Sequence, residues 1–135
     1  MTEFHSQAKP VVLACAGCSH AGRVAYDVAL ELDRWDLAEM TCLAGVAAEK
    51  AAFLAKLCNR PVWIVDGCPI ECCRGVLDRL GQRVDLHVRL QDFGIDKTQP
   101  GTYSVELDEL VVSILALAAS SDAPHPTSPP DDSSP

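Results

Sequence analysis

Cysteine thiolates are soft metal ligands and the nucleophiles of thiol chemistry, and this chain sets five of its seven cysteines in one recurring context. Cys15 and Cys18 follow the apolar run at 10–14, Cys42 follows the segment 37–41, and Cys68 and Cys72 follow the apolar run at 61–65. The first and last groups are spaced Cys-x2-Cys and Cys-x3-Cys. A glycine, Gly17, Gly45 or Gly67, accompanies each group, which suits tight turns and close backbone approach to a bound ion. The densest stretch is Asp66-Gly67-Cys68-Pro69-Ile70-Glu71-Cys72. Pro69 fits the first turn of a helix, where a missing N–H loses no partner, so Cys68 and Cys72 are expected one turn apart at a helix start. Partial positive charge at that helix end favours thiolate over thiol. A single cysteine after a strand would be an ordinary small hydrophobe. Its recurrence after three consecutive strands points instead to metal or cluster binding by Cys15, Cys18, Cys42, Cys68 and Cys72.

The elements that must position these thiols follow from hydrophobic periodicity. Short apolar runs predict strands over 10–14 and 61–65, the poorly β-branched segment 37–41 is assigned as a strand by its place between two helices, and the strict alternation over 84–90 predicts a fourth strand with one wet face, lying toward a sheet edge. Helices are expected over 19–35 with Ser19 as N-cap, over 47–58, from Pro69 to about residue 80 with Ile70, Cys73, Leu77 and Leu80 facing the core, and over 104–119. Leu107, Leu110, Val111, Ile114, Leu115 and Leu117 form the apolar face of the last helix. The loop between it and the fourth strand is anchored by Phe93 and Ile95 and turns at Pro100-Gly101. Strands alternating with helices give an α/β fold, a small three-layer sandwich with a four-stranded, mostly parallel sheet of order 2-1-3-4 and helices on both faces. Every strand-to-helix loop then lies on the carboxyl edge, and the order reverses between the first and third strands, where ligands bind.

Residues 10–119 make the single domain, preceded by a lead-in at 1–9 and followed by a tail at 120–135 that holds five of the nine prolines and three acidic residues without a basic one. Such a tail cannot form a packed core, so His125 is excluded from the site, as is His5 in the lead-in. Cys58 and Cys73 fall on apolar helix faces and are expected to pack. His20 and Asp66 are candidates to support the ligands from behind, and His87 on the polar face of its strand is given a structural or solvated role.

An odd cysteine count without an export signal argues against a disulfide framework and for reduced thiols in a cytoplasmic setting. The net charge of -8, with eleven Lys and Arg scattered singly, leaves no basic footprint for nucleic acid or an anionic membrane. No run reaches the roughly 18 apolar residues of a membrane span.

The motifs Cys-Ala-Gly-Cys-Ser, Cys-Leu-Ala-Gly and Asp-Gly-Cys-Pro-Ile-Glu-Cys, in that order, resemble the DGC-domain family over a span from about Val11 to the last helix. The resemblance implies a small domain whose cysteines are proposed to chelate zinc, with no established reaction. Four thiolates give tetrahedral zinc, and Cys15, Cys18, Cys68 and Cys72 flank the switch point as the favoured tetrad, with Cys42 as a spare or exchanged ligand. The same thiols are compatible with an iron-sulfur cluster, and the first loop is similar over a few residues to the cluster loop of hydrogenase small subunits. They are equally compatible with a redox or persulfide carrier in which Cys18 or Cys68 is the low-pKa thiol. The metal ion is the partner expected; the residues name no protein partner and no substrate.

Overall fold

The computed structural model describes residues 8–15, 17, 19–95 and 107–121. The lead-in up to residue 7, Cys18, the Pro100-Gly101 turn, the tail from residue 122 and the predicted helix start at 104–106 lie outside the described residues.

Four strands form one sheet in the order β2-β1-β3-β4, all pairs parallel. The central strands β1 (Val11–Ala14) and β3 (Val62–Asp66) pair over four residues, from Val11 with Val62 to Ala14 with Val65. Both are flanked by strands and covered by helices, which is why they read as apolar runs without alternation. β4 (Leu86–Arg89) is the edge strand the alternation predicts, its residues alternately buried and half-buried. At the other edge β2 is only Glu39–Met40, paired with Val11 and Val12.

α1 (His20–Arg34) starts where Ser19 caps it, the serine hydroxyl accepting the Gly22 N–H at 3.0 Å. Of the face that its periodicity predicts, Val24, Ala25, Val28, Ala29 and Leu32 are buried, while Tyr26, read as part of the same face, is exposed. α5 (Leu107–Ser121) packs against α1 and β4, burying Leu110, Val111 and Ile114, while Leu117 is exposed and does not belong to that face. Ile95 is buried and Phe93 packs partly against the core, after a 3-10 turn at Leu90–Phe93.

Two helices depart from the periodicity reading. The helix expected over 47–58 is two short ones, α2 (Leu43–Ala47) and α3 (Ala51–Lys56), broken by Glu49 in the left-handed region at φ 59°. α2 begins early because the Cys42 sulfur accepts the Gly45 N–H at 3.3 Å and caps it. α3 stops at Lys56, so Cys58 falls beyond the helix and is exposed, not packed as its wheel position implied. The third predicted helix, α4, is Cys72–Arg79 and does not start at Pro69. Residues 68–71 make a turn in which the Cys68 carbonyl accepts the Glu71 N–H at 3.0 Å, and Ile70 is 67% exposed instead of in the core. α4 packs on β3 and α2, with Cys73 and Leu77 buried as expected. Three parallel crossovers, the first running out from β1 to β2 and the next two running back through β3 to β4, thus put α1 with α5 on one face and α2 with α4 on the other. No helix among the described residues is long and apolar enough to cross a membrane.

Candidate thiol site at the carboxyl edge

Parallel pairing of β1 and β3 brings the loops that follow them side by side. The Cys15 N–H extends the ladder to the Val65 carbonyl at 3.2 Å. Two residues on, just past the end of β3, the relation is reversed in kind, because the buried Cys15 sulfur accepts the Gly67 N–H at 3.1 Å. The two loops are therefore tied directly through a thiol. The tie needs glycine: a Cβ on Gly67 would lie 2.2 Å from the Ala21 carbonyl oxygen and 2.8 Å from the Gly22 nitrogen, inside the first turn of α1. A Cβ on Gly22 would likewise come within 2.9 Å of the Gly17 nitrogen. The glycines at this edge thus serve chain-on-chain packing. Gly45 fits the same account, since its missing Cβ is replaced by the Phe53 ring, whereas the space beside Gly17 is open.

Cys68 is half-buried and Cys72 exposed, and both raise the proton affinity of Cys15 as neighbouring negative charges would. Burial is the larger cause pushing the Cys15 thiol up, with Asp66 adding to it and the Gly67 N–H opposing it. Cys15 is therefore held toward its protonated form. Cys42, on the far side of β1, is exposed and turned to capping α2. The six described cysteines are all free of disulfide bonds. Among the described residues no three His, Cys, Asp or Glu side chains are gathered closely enough to hold a metal ion. Cys15, Cys68 and Cys72 are neighbours in charge, and by donor chemistry they suit a soft ion such as zinc.

Asp66, at the end of β3, is 1% exposed and has three partners. Its carboxylate accepts the Cys73 N–H at 2.8 Å and the Arg74 N–H at 3.2 Å, and lies 2.8 Å from Nε2 of His87 on β4. These contacts make it the anchor of the α4 start. His87 is a structural partner, half-buried against this carboxylate. Periodicity missed the Asp66 role because Pro69 was the stronger local signal for a helix start; the available clue was an acid six to eight residues ahead of a core-facing helix. Glu71, in the left-handed region at φ 57°, is held by Arg89, whose Nε lies 2.9 Å from Oε2 but out of line for a hydrogen bond. His20 opens α1 at the same edge.

A family model of the DGC domain matches residues 11–114, a span that contains all seven cysteines. The "Anaerobic and virulence modulator AnvM" of Pseudomonas aeruginosa is 42% identical over 89 residues, which are 65% of this chain and 68% of that protein. No solved structure matches the chain. The three cysteine motifs, the parallel sheet that aligns them on one edge and the extent of the match lead to one assignment: the chain belongs to the DGC-domain family.

Proposed function

We propose that this DGC domain is a metal-binding module, with zinc held by thiolates of Cys15, Cys18, Cys68 and Cys72 at the carboxyl edge and Cys42 as a secondary thiol. The observation that carries the reading is the Cys15 sulfur bonded to the Gly67 N–H, which joins two cysteine-bearing loops at the point where strand order reverses. N–H donation to sulfur offsets part of the cost of deprotonating a buried cysteine, and a bound cation would offset more. The reading assigns no reaction to the site. Metal analysis of the full chain purified without chelator or oxygen tests it. About one zinc per chain is expected, lost on Cys68→Ser or Cys72→Ser and reduced less by Cys42→Ser, since a hydroxyl stays protonated near neutral pH. Full zinc retention in both Cys15→Ser and Cys68→Ser would show that the two loops share no ion.

The name of the relative, an anaerobic modulator, favours a second reading in which the same thiols hold an iron-sulfur cluster or respond to oxidation directly. Iron with visible absorbance in the anaerobic preparation would establish the cluster. A metal-free protein whose thiols react stoichiometrically would establish the thiol reading.

A further inference from the structure

Cys68 and Cys72 do not share a helix, so no helical repeat fixes their separation. Cys68 lies in the turn where its carbonyl accepts the Glu71 N–H, and Cys72 is the first residue of α4. The joint between them is Glu71, in the left-handed region at φ 57° and ψ 59°, a conformation that costs free energy for a residue with a Cβ. Such a conformation persists only where its surroundings impose it. Two residues on one face of β4 grip the turn from both ends. His87 meets Asp66 ahead of it, and Arg89, the register partner of Asp66, stands against Glu71 behind it. The Arg89 Nε is shut off from solvent and makes no hydrogen bond, so attraction to the Glu71 carboxylate 2.9 Å away is what compensates its burial.

We infer that Arg89 and Glu71 form a clasp that sets the separation of Cys68 and Cys72, making Arg89 a positioning residue for that thiol pair, on the reading that both thiols take one ligand. The Glu71 side chain is tied to the sheet while its backbone joins the two cysteines. Holding the carboxylate against β4 therefore fixes the direction in which α4, and Cys72 with it, leaves the turn. Without the tie the joint relaxes toward ordinary right-handed or extended conformations, and the two sulfurs lose their fixed relation. A chelating pair then binds more weakly, because its second bond must form at the entropic cost that positioning had removed. Arg89 acts through Glu71 and needs no contact with the ligand.

The probe is phenylarsine oxide, whose arsenic bonds one sulfur from each of two neighbouring thiols while its oxygen leaves as water with the two thiol protons. It reads the pair whether or not the protein takes zinc. It is titrated into the full chain carrying Cys18→Ser, Cys42→Ser and Cys58→Ser, against 1,2-ethanedithiol as competitor, and zinc is titrated into the chain with all its cysteines. Capture of one arsenical per chain, lost in Cys72→Ser, is expected. Arg89→Leu should weaken capture at least about tenfold and zinc about 10- to 100-fold. Arg89→Lys keeps a charge opposite Glu71 and should restore most of both. Glu71→Gly separates positioning from stability, because glycine adopts φ 57° freely: its urea midpoint should equal or exceed that of the parent while capture weakens as in Arg89→Leu. No capture in the parent, capture that survives Cys72→Ser, or capture unchanged in both Arg89→Leu and Glu71→Gly would overturn the clasp. Weakening only in step with a lowered urea midpoint would reduce Arg89 to a stability role and overturn it too. Clasp-dependent capture without any zinc binding would uphold the clasp and overturn the metal reading alone.

Discussion

Cys58 and Cys73 show how far a side chain's place can be read from spacing. Each lies on the apolar face of an ideal wheel, yet Cys73 is fully buried, with its thiol 3.6 Å from the Val65 carbonyl, and Cys58 is exposed. The wheel holds only while the helix does, and α3 ends two residues before Cys58. Cys73→Ala should therefore cost about 1 to 2 kcal/mol in urea unfolding, and Cys58→Ala less than about 0.5 kcal/mol. Burial, and the negative charge of Asp66 beside it, push the Cys73 thiol far up. In the unfolded chain the thiol ionises near pH 8.5, while the folded chain keeps its proton. Below that value both states are protonated and stability is unaffected; as pH rises above it, only the unfolded state releases the proton and gains. Melting temperature should thus fall progressively above about pH 8.5, and less steeply in Cys73→Ala. An identical slope in the variant would assign the loss to other groups.

At the scale of elements, the helix that follows β3 was legible in kind but misplaced in its start. Pro69 is a good first-turn residue, yet α4 begins three residues later, at Cys72. The deciding interaction is long in sequence and short in space: the Asp66 carboxylate takes two of the orphan N–H groups of that end. Local propensity could not reveal it. The same junction depends on Gly67, whose missing Cβ leaves room for the Ala21 carbonyl. Because the atoms in the way are backbone of the first turn of α1, relief would require moving α1 away from the loop after β3. Gly67→Ala should cost on the order of 1 to 3 kcal/mol, seen as a lower urea midpoint with an unchanged slope. Asp66→Asn retains one acceptor oxygen but loses the charge shared by Cys73, Arg74 and His87. A cost of about 2 to 3 kcal/mol is expected, and a variant as stable as wild type would remove Asp66 from its anchoring role.

For the whole molecule, strand order and the common edge were readable because right-handed crossovers leave few arrangements for four strands and intervening helices. The site was readable only to the level of that edge. Sequence places thiols after strands, but whether they meet depends on loop conformation, and loops are where tertiary contacts override spacing, as the turn at 68–71 and the capping use of Cys42 demonstrate. A ligand that bridges loops after β1 and β3 must also stabilise the fold as a unit, since those strands form the centre of the sheet. An ion bound by the native state and not by the unfolded chain adds about 2.7 kcal/mol when free zinc exceeds its Kd a hundredfold. For a domain of this size that corresponds to a rise on the order of 10 °C in melting temperature. Zinc titration followed by thermal melting should show this rise, and EDTA should reverse it. In Cys68→Ser the melting temperature should not respond to zinc, while Cys58→Ser should respond as wild type does. A zinc-dependent rise that persists in Cys68→Ser would place the ion elsewhere on the molecule, and no rise at any concentration would separate the carboxyl-edge thiols from zinc altogether.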